Sequence, residues 1–332
     1  MRSEAVGLAV AVYEEGAITY LEGFGWANRE DAVAVDPRAT LFRWASLSKG
    51  VVGVVAAKLA ALGTLDLQQP ISELVPALDL PRRYLPTGCS QLDCALPLPD
   101  GSPPITLSRL LHHSAGIQHY SNGLSNPTPP AAARADPEIN TGMLWAVEQL
   151  LENPLVAPPG STFEYSSFGY NLAGVVIEQV TGTSLRELIA AHVVAPAQLT
   201  TLDADVLWEA NSARSEGYYQ SRTVIRLRGD GDVSWKLAAG GLMSTVEDLG
   251  IYCGTLLSGD LLDPSARQTL LATEAPADRY GLGFFTTDGD LGWSLSHTGA
   301  QSKARTALLA YPDDDRCFVV MSNSEWADSR DL

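Results

Sequence analysis

The sequence predicts a mixed α/β fold: an antiparallel sheet flanked by helices, with an all-α domain inserted into it. Both ends of the chain carry strand-like runs, at 6–14 and 17–25 and again at 280–285, 293–297, 304–311 and 317–322. Between them, from about Leu65, the texture changes to helical spacing broken by Pro-rich loops. The sheet domain is therefore assigned to 1–65 plus 222–332, and the inserted helical domain to 66–221.

The elements follow in order. Glu15-Gly16 joins the first two runs as a hairpin. Val51 to Leu62 is apolar on every side, which predicts a helix buried all round and closed by Gly63. Pro-rich stretches at 81–104 and 126–138 resist regular structure and read as surface or cleft-rim loops. Thr106 starts a helix ending in the stretch Leu110 to Gly116, and Leu172, Val175, Val176 and Val180 set a helical period after Tyr170. Thr245 and Asp248 form a capping box for a helix that follows.

Composition narrows the function. A net charge of -17 argues against a nucleic-acid partner, whose phosphates require a basic face. No run reaches the roughly 18 apolar residues of a membrane helix, and Met1 to Glu4 lead directly into a strand-like segment rather than a leader pattern. Cys89, Cys94, Cys253 and Cys317 are too few and too scattered for a disulfide framework or a zinc site, although Cys89 and Cys94 share a loop and are placed to pair under oxidising conditions. His112 and His113 point to different helix faces and, with His119, lack the acidic partners of a metal site.

The chemistry concentrates at the start of the apolar helix. Ser46 and Lys49 are three residues apart, so a helix beginning at Ser46 puts a hydroxyl and an amine on one face of its first turn. By pattern alone this reads more readily as a helix cap with a surface lysine. The apolar run behind it makes an exposed Lys49 implausible, and a buried lysine needs a partner or a purpose. An amine whose ammonium form is disfavoured takes the serine proton, and the helix start supplies N–H groups for an oxyanion. Tyr165, in a polar loop after Pro158-Pro159-Gly160, is a candidate proton relay if Lys49 holds its pKa down. A Ser-His-Asp arrangement using His297 is the competing reading, but no Gly-x-Ser-x-Gly elbow is present.

Taken in order, five motifs resemble the serine β-lactamase and penicillin-binding-protein superfamily, in its branch of class C β-lactamases, D-Ala-D-Ala carboxypeptidases and family VIII esterases. They are Leu41 to Lys49, Leu110 to Gly116, Tyr165 to Tyr170, Gly240 to Thr245, and His297-Thr298-Gly299. The segments Gly116 to Tyr120 and Ser234-Trp235-Lys236 look like the mitochondrial serine β-lactamase-like proteins and their bacterial relatives. The resemblance implies that Ser46 is the acylated nucleophile, Lys49 its base and Tyr165 the proton shuttle. It implies an oxyanion hole from the backbone N–H groups of Ser46 and Ala300. Substrate would be bound by Ser167, His297, Thr298, Gly299 and Tyr120, with no metal or organic cofactor.

Two departures bear on substrate. Ser167 stands where the family commonly has Asn, and His297 where true β-lactamases have Lys, so an ammonium that holds a substrate carboxylate is missing. Lys303 or Arg305 would have to replace it. The terminal helices that normally cover one face of the sheet are expected to be largely absent from this chain. The expected function is a serine hydrolase acting through an acyl-enzyme on small carboxylic esters or short or D-residue peptides. A low-efficiency β-lactamase is the alternative, and a catalytically silent binding or assembly protein of the same fold is the alternative from another class.

Overall fold

The computed structural model describes residues 5–89, 92–119 and 141–327. Its main sheet has seven strands, all antiparallel to their neighbours. They are β1 (Gly7–Glu14), β2 (Ala17–Asn28), β3 (Val33–Ala34), β4 (Phe285–Gly289), β5 (Gly292–Gln301), β6 (Ala304–Tyr311) and β7 (Arg316–Ser322), in the order β4-β5-β6-β7-β1-β2-β3. The chain ends meet where β1 pairs with β7, Leu8 opposite Ser322. This is the antiparallel α/β class that the two sets of alternating runs predict.

Alternation sets the two faces of the sheet. Along β1 every second residue is buried, and Ala9, Ala11 and Tyr13 share the inner face. There the helix Val246–Ser258 lies so close that a Cβ at Gly254 would meet the Tyr13 ring at 2.2 Å. Cys253 on this helix is bonded to Cys317 on β7, and Cys89 is bonded to Cys94. The first of these pairs corrects the expectation of scattered cysteines: 64 residues apart in sequence, they meet because helix and strand pack face to face. On the outer face Tyr20, Phe24 and Phe318 remain 44%, 47% and 37% exposed.

The apolar run forms α1 (Ser48–Ala61), preceded by a single 3₁₀ turn over Ala45–Leu47, so the α-helix proper starts two residues after Ser46. Its residues 48–57 are all buried, as an all-round apolar surface requires. The interior helices α2 (Thr141–Leu151) and α3 (Ser167–Thr181) follow from the middle of the chain. The Ser166 hydroxyl caps α3 by accepting from Gly169 N–H, and Gly182, at φ +67°, closes it.

Two local readings are corrected. The 280–285 run is not a strand: Gly281 N–H donates to Phe284 O, and the segment folds against α1. A Cβ at Gly53 would lie 1.8 Å from Leu282 O and one at Gly283 2.5 Å from Lys49 O, so these glycines serve backbone contact rather than alternation. The strand begins instead at Phe285. The capping box at Thr245 is half made. The Thr245 hydroxyl accepts from Asp248 N–H at 3.2 Å, but the Asp248 carboxylate accepts from the N–H groups of Thr200, Thr201 and Leu202. Three amide donors in the 200–202 segment outcompete one N-cap amide.

Candidate active site

The turn that carries Ser46 is fastened from three sides. Trp44 N–H donates to Leu242 O at 2.8 Å, its indole N–H to Ser244 Oγ at 2.7 Å, and its carbonyl accepts from Thr306 Oγ1 at 2.9 Å. Ala45 is held at φ +50°, a left-handed conformation that costs a non-glycine residue about 1 kcal/mol. The β5 strand presses on this turn. A Cβ at Gly299 would stand 2.5 Å from Trp44 O and 2.1 Å from Thr306 Oγ1, so only glycine fits. Between them these contacts leave Ser46 half-buried at the mouth of α1.

Behind Ser46 the side chain of Lys49 is fully buried. Its Nζ lies 3.2 Å from Ser46 Oγ, 3.0 Å from Ser167 Oγ and 2.8 Å from Ala239 O, beneath the rings of Tyr165 and Tyr170 at 5.0 and 5.6 Å. These hydrogen-bond partners are all uncharged. Burial, and secondarily the like charge of Lys236, push the Lys49 pKa well below its ordinary value. A neutral amine has two N–H donors and one lone pair. In that form, with one N–H on the Ala239 carbonyl and the other on Ser167, the lone pair would face Ser46 Oγ.

Tyr165 enters from the loop before α3, and its hydroxyl interacts with those of Ser46 and Ser167. Burial raises its pKa to about 12 against these two hydrogen bonds. The condition under which the sequence offers Tyr165 as a relay, a phenol held down by Lys49, is not met. Burial disfavours the charged phenolate, so Tyr165 keeps its proton at rest.

Two histidines hold the Tyr165 segment by its backbone. His113 Nδ1 accepts from Ser166 N–H at 3.0 Å, and His119 Nδ1 accepts from Ser167 N–H at 3.2 Å. The His113 ring lies 4.3 Å from the Tyr165 ring, and the His119 ring meets Tyr165 edge-on at 5.5 Å. Burial pushes the His119 pKa down to about 4 and that of His113 well below the usual imidazole value, so both rings are neutral acceptors. Neither role is visible from sequence: the motif Leu110 to Gly116 marks His113 as unusual, but its partner amide lies 53 residues on. His112 is separate, its Nε2 against Ala272 O at 2.9 Å.

The β5 residues form the opposite wall. Strand β4 pairs with β5 only up to Ser296, so His297 to Gln301 lie beyond that ladder. Thr298 and Ala300 are exposed, while His297 and Gly299 are buried. The His297 Nδ1 is 2.7 Å from Thr298 O, which makes it the protonated nitrogen; Nε2 then accepts from the Tyr280 hydroxyl at 3.2 Å. Burial, with Lys49 nearby, lowers the His297 pKa to about 3, so the ring is neutral. Lys303 does not replace the missing cation, because its ammonium is buried in an ion pair with Asp230 and with Glu216 at 3.2 Å. Arg305 donates to the carbonyls of Gln301 and Ala304 at 3.0 and 2.7 Å. Tyr120 lies outside the described residues.

Ser46, Lys49, Tyr165 and Ser167 are thus drawn together from a helix start and a distant loop, against the strand that carries His297-Thr298-Gly299. A family model described as Beta-lactamase matches residues 2–331. The chain belongs to the Beta-lactamase family. Within it, the mitochondrial serine beta-lactamase-like protein LACTB of Mus musculus is 26% identical over 320 residues, covering 77% of this chain and 54% of that protein. The chain spans little more than half the length of the curated relatives it matches. Among solved structures, D-amino acid amidase from Ochrobactrum anthropi has a TM-score of 0.73 at 19% identity, covering 96% of this chain and 87% of that one. EstCE1, a hydrolase with promiscuous acyltransferase activity, has a TM-score of 0.77 at 20% identity, covering 98% and 91%. The Beta-lactamase fold of this chain is shared with both hydrolases.

Proposed function

We propose that this protein is a serine hydrolase that acts through a covalent acyl-enzyme at Ser46. The observation that carries the reading is the 3.2 Å contact between Ser46 Oγ and the Nζ of a fully buried lysine whose hydrogen-bond partners are all uncharged. In the first half-reaction Lys49 takes the Ser46 proton as Oγ bonds to the acyl carbon. The backbone N–H groups of Ser46 and Ala300 receive the oxyanion. As the bond to the leaving group breaks, Tyr165 gives that group its proton and is reprotonated from Lys49. In the second half-reaction water gives a proton back to this Tyr165–Lys49 pair and attacks the acyl carbon. The acid departs and Ser46 recovers its hydrogen.

Small carboxylic esters and short or D-residue peptides are the proposed substrates. Penicillin-like substrates are disfavoured, because His297 is buried and neutral and Lys303 is committed to Asp230 and Glu216. The test is turnover of p-nitrophenyl butyrate, a D-Ala-D-Ala peptide and a chromogenic cephalosporin, each with Ser46→Ala in parallel. Ester turnover lost in Ser46→Ala, with cephalosporin turnover at least a hundredfold weaker in the unaltered protein, is the expected result. Ester turnover that survives Ser46→Ala refutes the nucleophile. Covalent labelling of Ser46 by a penicillin without turnover of any substrate makes the protein a binder.

A further inference from the structure

Tyr165 sits in a segment with no regular structure of its own, just before α3 begins at Ser167. The loop after the helix Leu107–Leu111 sets its position. Glu164 N–H donates to His113 O at 2.7 Å, Ser166 N–H to His113 Nδ1 at 3.0 Å, the Ser166 hydroxyl to Gln118 O at 2.6 Å and Ser167 N–H to His119 Nδ1 at 3.2 Å. One of these bonds falls on the residue before Tyr165 and three on the two residues after it. Both amides that follow Tyr165 therefore end on an imidazole nitrogen.

His113 holds this place against a penalty. With Nδ1 accepting, its proton is on Nε2, and among the described residues that buried nitrogen has no hydrogen-bond partner. The rings of Tyr165, Tyr280, Tyr170 and Phe163 surround it at 4.3, 4.8, 5.1 and 5.7 Å. An apolar side chain in the same box of rings would leave no donor unpaired. Packing alone therefore does not account for an imidazole here, whereas the amide on its Nδ1 does.

Position matters most for one step. The Tyr165 hydroxyl lies with those of Ser46 and Ser167. As the acyl carbon–oxygen bond of an ester breaks, its proton passes to the departing oxygen, and a misplacement of about 1 Å slows such a transfer about a hundredfold. We propose that His113 and His119 are positioning residues for Tyr165: their Nδ1 atoms, by receiving the two amides that follow it, fix where the phenol delivers its proton. This rests on the reading of Tyr165 as the proton donor to the leaving group.

The experiment compares ethyl butyrate with p-nitrophenyl butyrate, which form the same acyl-enzyme and differ only in the leaving group. p-Nitrophenolate departs without a proton and ethoxide does not, so only the ethyl ester needs the donor. Acid release at constant pH gives kcat/KM, which reports acylation alone, for both esters. Tyr165→Phe sets the scale and is expected to lower the ethyl-to-p-nitrophenyl ratio about a hundredfold. His113→Leu and His119→Leu should each lower it about tenfold or more. His113→Asn and His119→Asn, whose Oδ1 takes the place of Nδ1 as acceptor, should recover most of it. Loss of folded protein lowers both rates together and leaves the ratio alone. Should His113→Leu fail to fold, the half-buried His119 decides. A ratio lowered by Tyr165→Phe but unchanged in the leucine variants overturns the positioning role, as does one that the asparagine variants leave as low as leucine does. A ratio that Tyr165→Phe itself leaves unchanged refutes the donor, and the positioning role with it.

Discussion

Lys49 and Lys303 are both buried, 0% and 4% exposed, in opposite company. Lys303 is met by two carboxylates, Asp230 and Glu216. Lys49 is met by two hydroxyls and a carbonyl, and the charge acting on it is another cation, Lys236. A buried ammonium is either compensated or gives up its proton. Lys303 is thereby a strut between the β5–β6 turn and the 216–230 hairpin, and Lys49 has the properties of a base. Residue type and burial are the same; the sign of the surroundings makes the difference.

The sharpest way to break this contrast is to remove each lysine in turn. Lys49→Ala is expected to lower kcat/KM for p-nitrophenyl butyrate by about a thousandfold or more, on the scale of losing a nucleophile's base. Lys303→Met is expected to leave kcat/KM within severalfold and to lower unfolding stability in urea by about 1–2 kcal/mol. The cost is modest because Asp230 and Glu216 are 55% and 34% exposed and return to water. Comparable catalytic losses in the two variants would erase the distinction.

Tyr165→Phe comes next, with an expected loss of about a hundredfold in turnover, the scale of a general acid or base. Because the phenol keeps its proton up to about pH 12, the profile of kcat/KM against pH should show no Tyr165 limb below pH 10. A limb there that disappears in Tyr165→Phe would contradict a resting phenol.

A third change converts the Lys49 site toward the Lys303 kind. Ser167→Asp places a carboxylate on the residue whose hydroxyl now sits 3.0 Å from Lys49 Nζ. The lysine pKa is lowered in the native site, so its base form is present above that lowered value and lost below it. A carboxylate favours the ammonium, so the acid limb of the rate profile should move up by about 1–3 pH units. Turnover then falls roughly tenfold or more at neutral pH and recovers as pH rises. An unmoved limb would mean that Lys49 is not the group that titrates.

Much of the frame of this site is legible in the sequence, and its electrostatics are not. The apolar circumference of α1 announces its burial, and with it that Lys49 is out of water. The strand alternation at both chain ends announces the sheet. What fails is whatever depends on a distant partner. Asp230 and Glu216 commit Lys303 from 73 and 87 residues away, and Cys253 meets Cys317 across 64 residues. The same holds for the Tyr165 proton, which is kept by burial that the sequence around Tyr165 does not announce. The 280–285 run fails for another reason: its glycines are placed for backbone contact, Gly283 with α1 and Gly281 with Leu270, and in sequence they mimic alternation.

Lys236 offers the finest test of the contrast, since it acts on Lys49 only through charge. It is itself 8% exposed, and burial, followed by the positive charge of Arg43, brings its pKa down to about 8. Below about pH 8 it is cationic and disfavours a second cation at Lys49, which lowers the Lys49 pKa. Removing that charge in Lys236→Gln should therefore raise the Lys49 pKa and move the acid limb of kcat/KM upward. The displacement should be less than about one pH unit, because burial is the larger cause and is untouched. Above about pH 8, where Lys236 is neutral in the unaltered protein, the two profiles should converge. Lys236→Arg keeps the charge and should keep the limb where it is. A limb that moves downward in Lys236→Gln, or equally in both variants, would assign the effect to packing and leave Lys49 governed by burial alone.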